Sequence, residues 1–419
     1  MSDVTPEDGS GAHGKGVTEV TAKPVSTARD FIATLRRRVS GGDLGNLPVV
    51  VGLLIIAVIF YSQDATFLSS NNLVSITLFA APFGIISIGI VLVLLLGEID
   101  LSVGSVSGLA GSVTAVLTVY HGWPAPLGLV AGAATGAAIG VLYGLIYTRL
   151  GVPSFVITLA GLLAFVGVQY LVLGKNGTIN IDNDSGLAEF ARNDFLGTGA
   201  SYVLVVLVVG VYLASNLVAI RKRSAAGLET PSLAGVVTKS LLMLVLLGYL
   251  TYYLNIGRGW GYLFLLFVAL VVLMDLALRK TSWGRYVFAV GGNEEAARRA
   301  GIPVGLIYIS VFTLTGFFAA LGGLMFLAQL TSVSQSSGSA DVNLTAIAAA
   351  VIGGTSLFGG RGTAYAALFG ILVLQSITSG LDLMSVDSSV RYIVTGAVLL
   401  LAVSIDSVAR RARSSSGRG

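Results

Sequence analysis

Leu101–Thr148 reads LSVGSVSGLAGSVTAVLTVYHGWPAPLGLVAGAATGAAIGVLYGLIYT and contains no Asp, Glu, Lys or Arg. A soluble domain carries roughly 25% charged residues, so a run of this length without one has no place on a water-facing surface. A hydrocarbon core ~30 Å thick takes ~20 apolar residues per helix, which makes the tract long enough for two crossings. Ala300–Ala340 is equally free of charge. Across 419 residues, 54% are hydrophobic and 11% charged, and the mean hydropathy is +0.87. The chain reads as an all-α, polytopic bundle of transmembrane helices.

Within the tract, Gly128, Gly132, Gly136, Gly140 and Gly144 recur every four residues. That spacing lays a smooth stripe along one helix face, against which a second backbone packs closely in a membrane. The stripe predicts packing, not chemistry, and suits helices that tilt past one another.

Outward from the tract, apolar runs place about 12 crossings, near 47–62, 73–96, 101–120, 125–147, 153–173, 200–220, 236–254, 260–278, 305–329, 342–358, 363–380 and 390–408. Residues 1–46 form a polar cytosolic tail, 47–408 the membrane domain and 409–419 a basic tail. Lys and Arg mark the cytoplasmic side. With both termini inside, and counting Lys239 at a membrane edge, every basic residue except Lys175, Arg192, Arg258 and Arg391 falls in a cytoplasmic segment. Segment 342–358 is short and has a re-entrant alternative, which would place Arg410 and Arg411 outside.

Several function classes drop out. The chain has no cysteine and only two histidines, His13 and His121, so thiolate and His-ligated metal sites are excluded. The net charge of +4 reflects topology, not nucleic-acid binding. Gly9–Lys15 imitates a phosphate loop, but Gly16 stands where the Mg²⁺-binding hydroxyl belongs, and no strand-to-helix context surrounds it. No catalytic constellation and no clear internal repeat is legible. The outer loop 174–199, with Asp182, Asp184, Glu189 and Asp194, is either a docking surface for a soluble partner or a solvated connector.

Three polar segments interrupt the apolar pattern. Gly97–Ser105 (GEIDLSVGS) puts two carboxylates in a turn between two spans. Either Asp100 caps the next helix and Glu98 reaches cytosolic water, or the turn lines a path for polar solute, since ionisable groups at membrane depth usually face a cavity or a partner. Gly353–Thr363 (GGTSLFGGRGT) is either a tight turn or irregular backbone lining a cavity. Asp275, Asp341, Asp382 and Asp406 sit near span ends and are expected to face the interface.

The third segment, Gly291–Gly301 (GGNEEAARRAG), spells a short capped helix. Asn293 is a good N-cap. Glu294 and Glu295 lie in the first turn, while Arg298 and Arg299 lie in the last, as the macrodipole favours. Both Glu–Arg pairs are spaced i,i+4. Gly301 suits the left-handed position after the helix. The charge bias places this helix in the cytosol, within the loop 279–304.

In order and rough spacing, these three segments resemble the ribose/xylose/galactose class of ABC sugar-importer permeases. The likeness covers about residues 47–408. Glu98, where many relatives have Gly, and the inserted segment 221–256 with Arg221, Lys222 and Arg223 resemble the xylose-permease branch. The resemblance implies a ten-helix core of the type II importer kind plus an inserted pair. It implies import of a monosaccharide, xylose or a related pentose or hexose, across the bacterial inner membrane. The implied partners are a second permease copy, ABC ATPase subunits carrying ATP and Mg, and a periplasmic or lipid-anchored sugar-binding protein. This chain itself would hold no cofactor and no metal, catalyse no reaction and bind no nucleic acid. Asn293, Glu294, Glu295, Ala296, Ala297, Arg298, Arg299 and Gly301 would form the helix coupling it to the ATPase. Ala296, Ala297 and Ala300 would let it seat closely. Glu98, Asp100, Ser102, Ser105, Thr355 and Ser356 would line the sugar path. The competing class is an ion-coupled secondary transporter, which calls for internal repeats and an intramembrane acid–base relay.

Overall fold

The computed structural model describes residues 47–415. The tail 1–46, including Gly9–Lys15, lies outside the described residues, as do the last four residues of the basic tail. Fifteen α-helices follow in order: α1 Leu47–Gln63, α2 Ser70–Leu95, α3 Val103–Ala115, α4 Ala125–Leu150, α5 Ser154–Leu173, α6 Gly186–Arg192, α7 Thr198–Ala225, α8 Leu233–Asn255, α9 Tyr262–Lys280, α10 Ser282–Gly292, α11 Glu294–Arg299, α12 Val304–Leu330, α13 Ala340–Ile352, α14 Tyr365–Leu383 and α15 Ser388–Ser415. Two short strands, β1 Thr178–Asn180 and β2 Ser332–Ser334, pair antiparallel, with Ile179 opposite Val333. Among the described residues, nine helices are long and apolar enough to cross a membrane.

The core is built on α2 and α12. An apolar helix without a polar face belongs inside a bundle, and α2 follows that rule: Ala80–Leu96 is buried almost throughout. The glycine stripe of α4 packs on α12. A Cβ on Gly136 would lie 2.2 Å from the Gly316 carbonyl oxygen, and one on Gly140 equally close to that of Phe312. Gly128 and Gly132 face α3, against Thr118 and Thr114. The expected close contact is present along the whole stripe.

Two helices are half-length. α3 and α13 have 13 residues each, about 20 Å at 1.5 Å per residue. A π turn, Val116–Tyr120, prolongs α3. Segment 342–358 therefore contains no full helical span. Its helix begins at Ala340 and stops at Ile352, where Gly353 and Gly354 break the chain. The segments before the half-helices, 96–102 and 331–339, are turn and irregular backbone apart from β2. Ser87, beyond the middle of α2, donates to the Ala346 carbonyl at 3.0 Å, so α13 starts near the mid-depth of the bundle. Asn343 ties α3 to the same level: its Oδ1 accepts from the Gly104 N–H and its Nδ2 donates to the Leu101 carbonyl at 2.7 Å. Segments 96–102 and 331–339 enter from opposite ends, and the two half-helices start side by side.

A repeat invisible in the sequence emerges. A long helix, a non-helical connection, a half-helix and two further helices occur as α2–α5 and again, in the opposite sense, as α12–α15. The repeat is one of backbone paths, which residue identity does not record.

α7 and α8 pack chiefly on each other, and only 11% of the most apolar window of each is buried. α7 ends within segment 221–256 and α8 fills most of it. Loop 174–199 is not a bare connector. α6 buries Ala188 and Ala191, and β1 holds the re-entrant segment through β2. Asp182, Asp184, Glu189 and Asp194 remain exposed. Of the four span-end aspartates, Asp275 is buried rather than interfacial, paired with Arg279 at 2.9 Å. Asp382 pairs with Arg391, Asp341 accepts from Ser339, and the side chain of Asp406 lies outside the described residues.

Candidate functional site

One end of the bundle gathers all three polar segments. The short helix forms as its sequence dictates. Asn293 Oδ1 accepts from the Ala296 N–H at 2.9 Å. Arg298 pairs with Glu294 at 2.6 Å and Arg299 with Glu295 at 2.9 Å. Gly301 takes φ 80, and the Ile302 N–H closes back on the Ala297 carbonyl at 3.1 Å. That six-to-one bond is the Schellman signature. Ala297 is buried against its own chain, whereas Ala296, Ala300, Glu295, Arg298 and Arg299 are exposed. The helix thus presents one charged, small-residue face outward.

The sequence reading missed the platform beneath it. Residues 282–292 form α10, an amphipathic helix with Gly284, Val287 and Val290 inward. Trp283 Nε1 donates to Ser310 Oγ at 2.9 Å, fixing α10 on α12. Aromatic and β-branched residues spaced by glycines within a polar loop masked the pattern.

At the end of α10, backbone meets backbone. The Gly360 N–H donates to the Leu95 carbonyl at 2.8 Å. A Cβ on Gly291 would fall 1.8 Å from that same carbonyl oxygen, and one on Gly359 would fall 2.5 Å from the Gly291 carbonyl oxygen. Gly97 lies beside Phe358 and Gly359. The three segments, far apart in sequence, touch at this glycine junction. Gly359 and Gly360 adopt φ 80 and φ 69, left-handed values that glycine reaches without steric cost.

A side-chain link runs alongside. Tyr147 on α4 donates to Glu98 Oε1 at 2.7 Å, and Ser154 on α5 to Glu98 Oε2 at 2.5 Å. The Tyr147 ring packs on Tyr308 of α12 at 4.4 Å between centroids. Tyr308 in turn donates to Glu294 Oε2 at 3.3 Å. Glu98 and Glu294, on separate motifs, thereby flank one cleft of about 700 Å³, which Arg298 also lines.

The remaining expected path residues are enclosed within the single chain. Asp100, Ser102, Ser105 and Thr355 are buried, whereas Ser356 is half-buried. Asp100 accepts from both the N–H and the hydroxyl of Ser102 at 2.7 Å. It therefore caps the turn, and Ser102 rather than Asp100 holds the N-cap position of α3. Tyr147, Ser154, Tyr308, Asn343 and Gln169 were not anticipated. Asn343 and Gln169 carried a readable signal, as lone amides within apolar runs. Tyr147 and Tyr308 did not, because a tyrosine near a span end ordinarily marks the membrane interface.

A long-helix bundle with two broken helices and a charged helix at one end defines a multi-pass membrane permease. Residues 72–403 match the family described as branched-chain amino acid transport system / permease component, and the chain belongs to it. Its relatives include the xylose transport system permease protein of Haemophilus influenzae, 38% identical over 366 residues, covering 86% of this chain and 96% of the relative. The protein of the same description from Escherichia coli is 34% identical over 380 residues, or 89% and 96% of the two chains. The ribose import permease protein of Bacillus subtilis is 30% identical over 365 residues, or 87% and 94%. No solved structure matches the chain significantly.

Proposed function

We propose that this chain is the translocation subunit of an ATP-driven sugar importer in the bacterial inner membrane, with a pentose such as xylose as cargo. The near full-length likeness to xylose permeases carries the sugar assignment. The family description names amino acids, but these relatives name sugars and align over most of both chains. A subunit of this class has no nucleotide site of its own. ATP and Mg belong to a partner ATPase, and a sugar-binding protein docks on the opposite, acidic end, where loop 174–199 is exposed. Two copies of the chain form the working permease.

Both termini face the cytosol, in keeping with the bias of Lys and Arg. There are twelve passages. α3 and α13 each complete one together with the non-helical segment before it, so 331–352 crosses rather than turns back, and the ten-helix core carries α7 and α8 as its added pair. Residues 279–304 form the cytoplasmic coupling loop. Asn293, Glu294, Glu295, Ala296, Arg298 and Arg299 form the face that meets the ATPase, while Ala297 and Gly301 anchor it. Glu98 senses its movement through Tyr147 and Tyr308. Asp100, Ser102, Ser105, Thr355 and Ser356 hold the turns that border the sugar path.

An inverted repeat also occurs in ion-coupled secondary transporters, so it does not separate the two classes. That alternative calls for an acid–base relay at the polar turn, and there Glu98 is held by hydroxyls and Asp100 by Ser102. Uptake of labelled xylose into proteoliposomes decides between them. Uptake should require ATP, the ATPase and the binding protein together. Uptake by this chain alone under a proton or sodium gradient would refute the importer assignment.

A further inference from the structure

On the acidic side of the Asn343 bridge, the re-entrant segment arches over a cavity of about 290 Å³. Its polar wall comes from Ser332, Ser334, Ser336, Ser337 and Ser339, joined by Ser107 of α3 and Asp341 of α13. Its apolar wall combines Phe83 of α2 and Phe326 of α12, packed edge to face at 4.7 Å, with Leu327, Leu330, Val333 and Val342. No Lys or Arg lines it. The arch is held from outside the cavity. Gln169 Nε2 donates to the Ser334 and Ser337 carbonyls at 2.9 and 3.0 Å, and the Gln335 N–H to the Gly177 carbonyl at 3.1 Å. Within the arch, Ser337 Oγ accepts from the Ser334 N–H at 3.0 Å, the Ser334 and Ser336 hydroxyls lie 2.9 Å apart, Ser339 Oγ donates to Asp341 and Ser107 Oγ donates to the Gly104 carbonyl at 2.7 Å, and each of these hydroxyls keeps a further donor or acceptor position.

This composition fits a neutral polyol better than an ion or an apolar solute. Each sugar hydroxyl is both donor and acceptor, as each serine hydroxyl is, and the C–H face of a sugar ring suits an aromatic wall. Asp341 already accepts from Ser339, and its carboxylate has capacity to accept from a further hydroxyl. At roughly 30 Å³ per water, the cavity has room for one monosaccharide ring and its nearest waters.

We propose that this cavity is a transient monosaccharide site within each protomer, on the outer side of the half-helix junction. The choice of cargo rests on the importer reading above; the hydroxyl-and-aromatic chemistry of the site does not. The permease then holds sugar between its release from the binding protein and its passage beyond Asn343.

Saturation-transfer NMR tests this on the full chain in lipid nanodiscs, without the binding protein, using D-xylose as probe and maltose as the two-ring comparator. Transfer to xylose is expected, and stronger than transfer to maltose. Gly111 also lines the cavity, and a Cβ there would have ordinary contact distances, 3.5 Å to the Gly323 carbonyl oxygen and 3.6 Å to Val333. Gly111→Leu should fill the space and reduce xylose transfer at least fivefold. If that variant fails to fold, Ser336→Ala combined with Asp341→Asn, at more exposed positions, should give the same loss. Absence of transfer in the wild type, or equal transfer in the variants, would overturn the proposal. Failure of the importer reading shows separately, as uptake that is independent of ATP.

Discussion

Gly291 has no room for a side chain, whereas a Cβ added to its neighbour Gly292 would meet nothing within 4 Å. The two substitutions form a matched pair. Gly291→Ala should destabilise the protein by about 1–3 kcal/mol through overpacking against fixed backbone, whereas Gly292→Ala should be close to neutral. Thermal denaturation in detergent measures both, and equal melting temperatures would contradict the glycine junction. Glu98 makes a second residue-scale case. Tyr147→Phe removes one of its two hydroxyl donors, a loss of about 0.5–1.5 kcal/mol, or up to roughly tenfold in an equilibrium. ATP-driven uptake should fall several-fold while the ATPase still co-purifies. Glu98→Gln should act in the same direction. Wild-type rates in both variants would leave Glu98 as a simple turn residue.

Among the elements, α11 was fully legible in sequence, because its caps and ion pairs are local. The glycine stripe was legible for the same reason, since a period of four residues needs no knowledge of the partner. The half-helices were not. Leu101–Thr148 and 342–358 look like continuous spans because non-helical backbone inside protein is as apolar as helix. What breaks them is tertiary: Asn343 satisfies Gly104 and Leu101 from 239 and 242 residues away. Asn343→Leu should leave two buried backbone groups unpaired, each costing about 1–3 kcal/mol. The expected result is a lower melting temperature and faster amide exchange at the start of α3. An unchanged exchange pattern would contradict the bridge. α10 escaped the sequence reading because its apolar face is interrupted by glycines that exist to let Leu278 and Leu95 approach.

For the whole molecule, the structure describes a mechanical line. α11 sits on α10, α10 meets the end of α2 and loop 353–363 at Gly291, and those segments continue into the half-helices. At the other end, β1 of the exposed acidic loop pairs with β2 of the re-entrant arch. Both ends of the bundle thus reach the junction of the two half-helices through short, packed connections. The sequence supplied the end points of that line, whereas the connections between them depend on contacts across the inverted repeat.

The claim on which the rest depends is that α11 receives the ATPase. Arg298→Glu combined with Arg299→Glu reverses its exposed charge without touching buried Ala297 or the Asn293 cap. The decisive measurement is co-purification of the ATPase with this double variant, alongside ATP-driven xylose uptake and a check of membrane insertion. Normal insertion with loss of both association and uptake is the predicted result. Normal insertion with association and uptake at wild-type levels would contradict it.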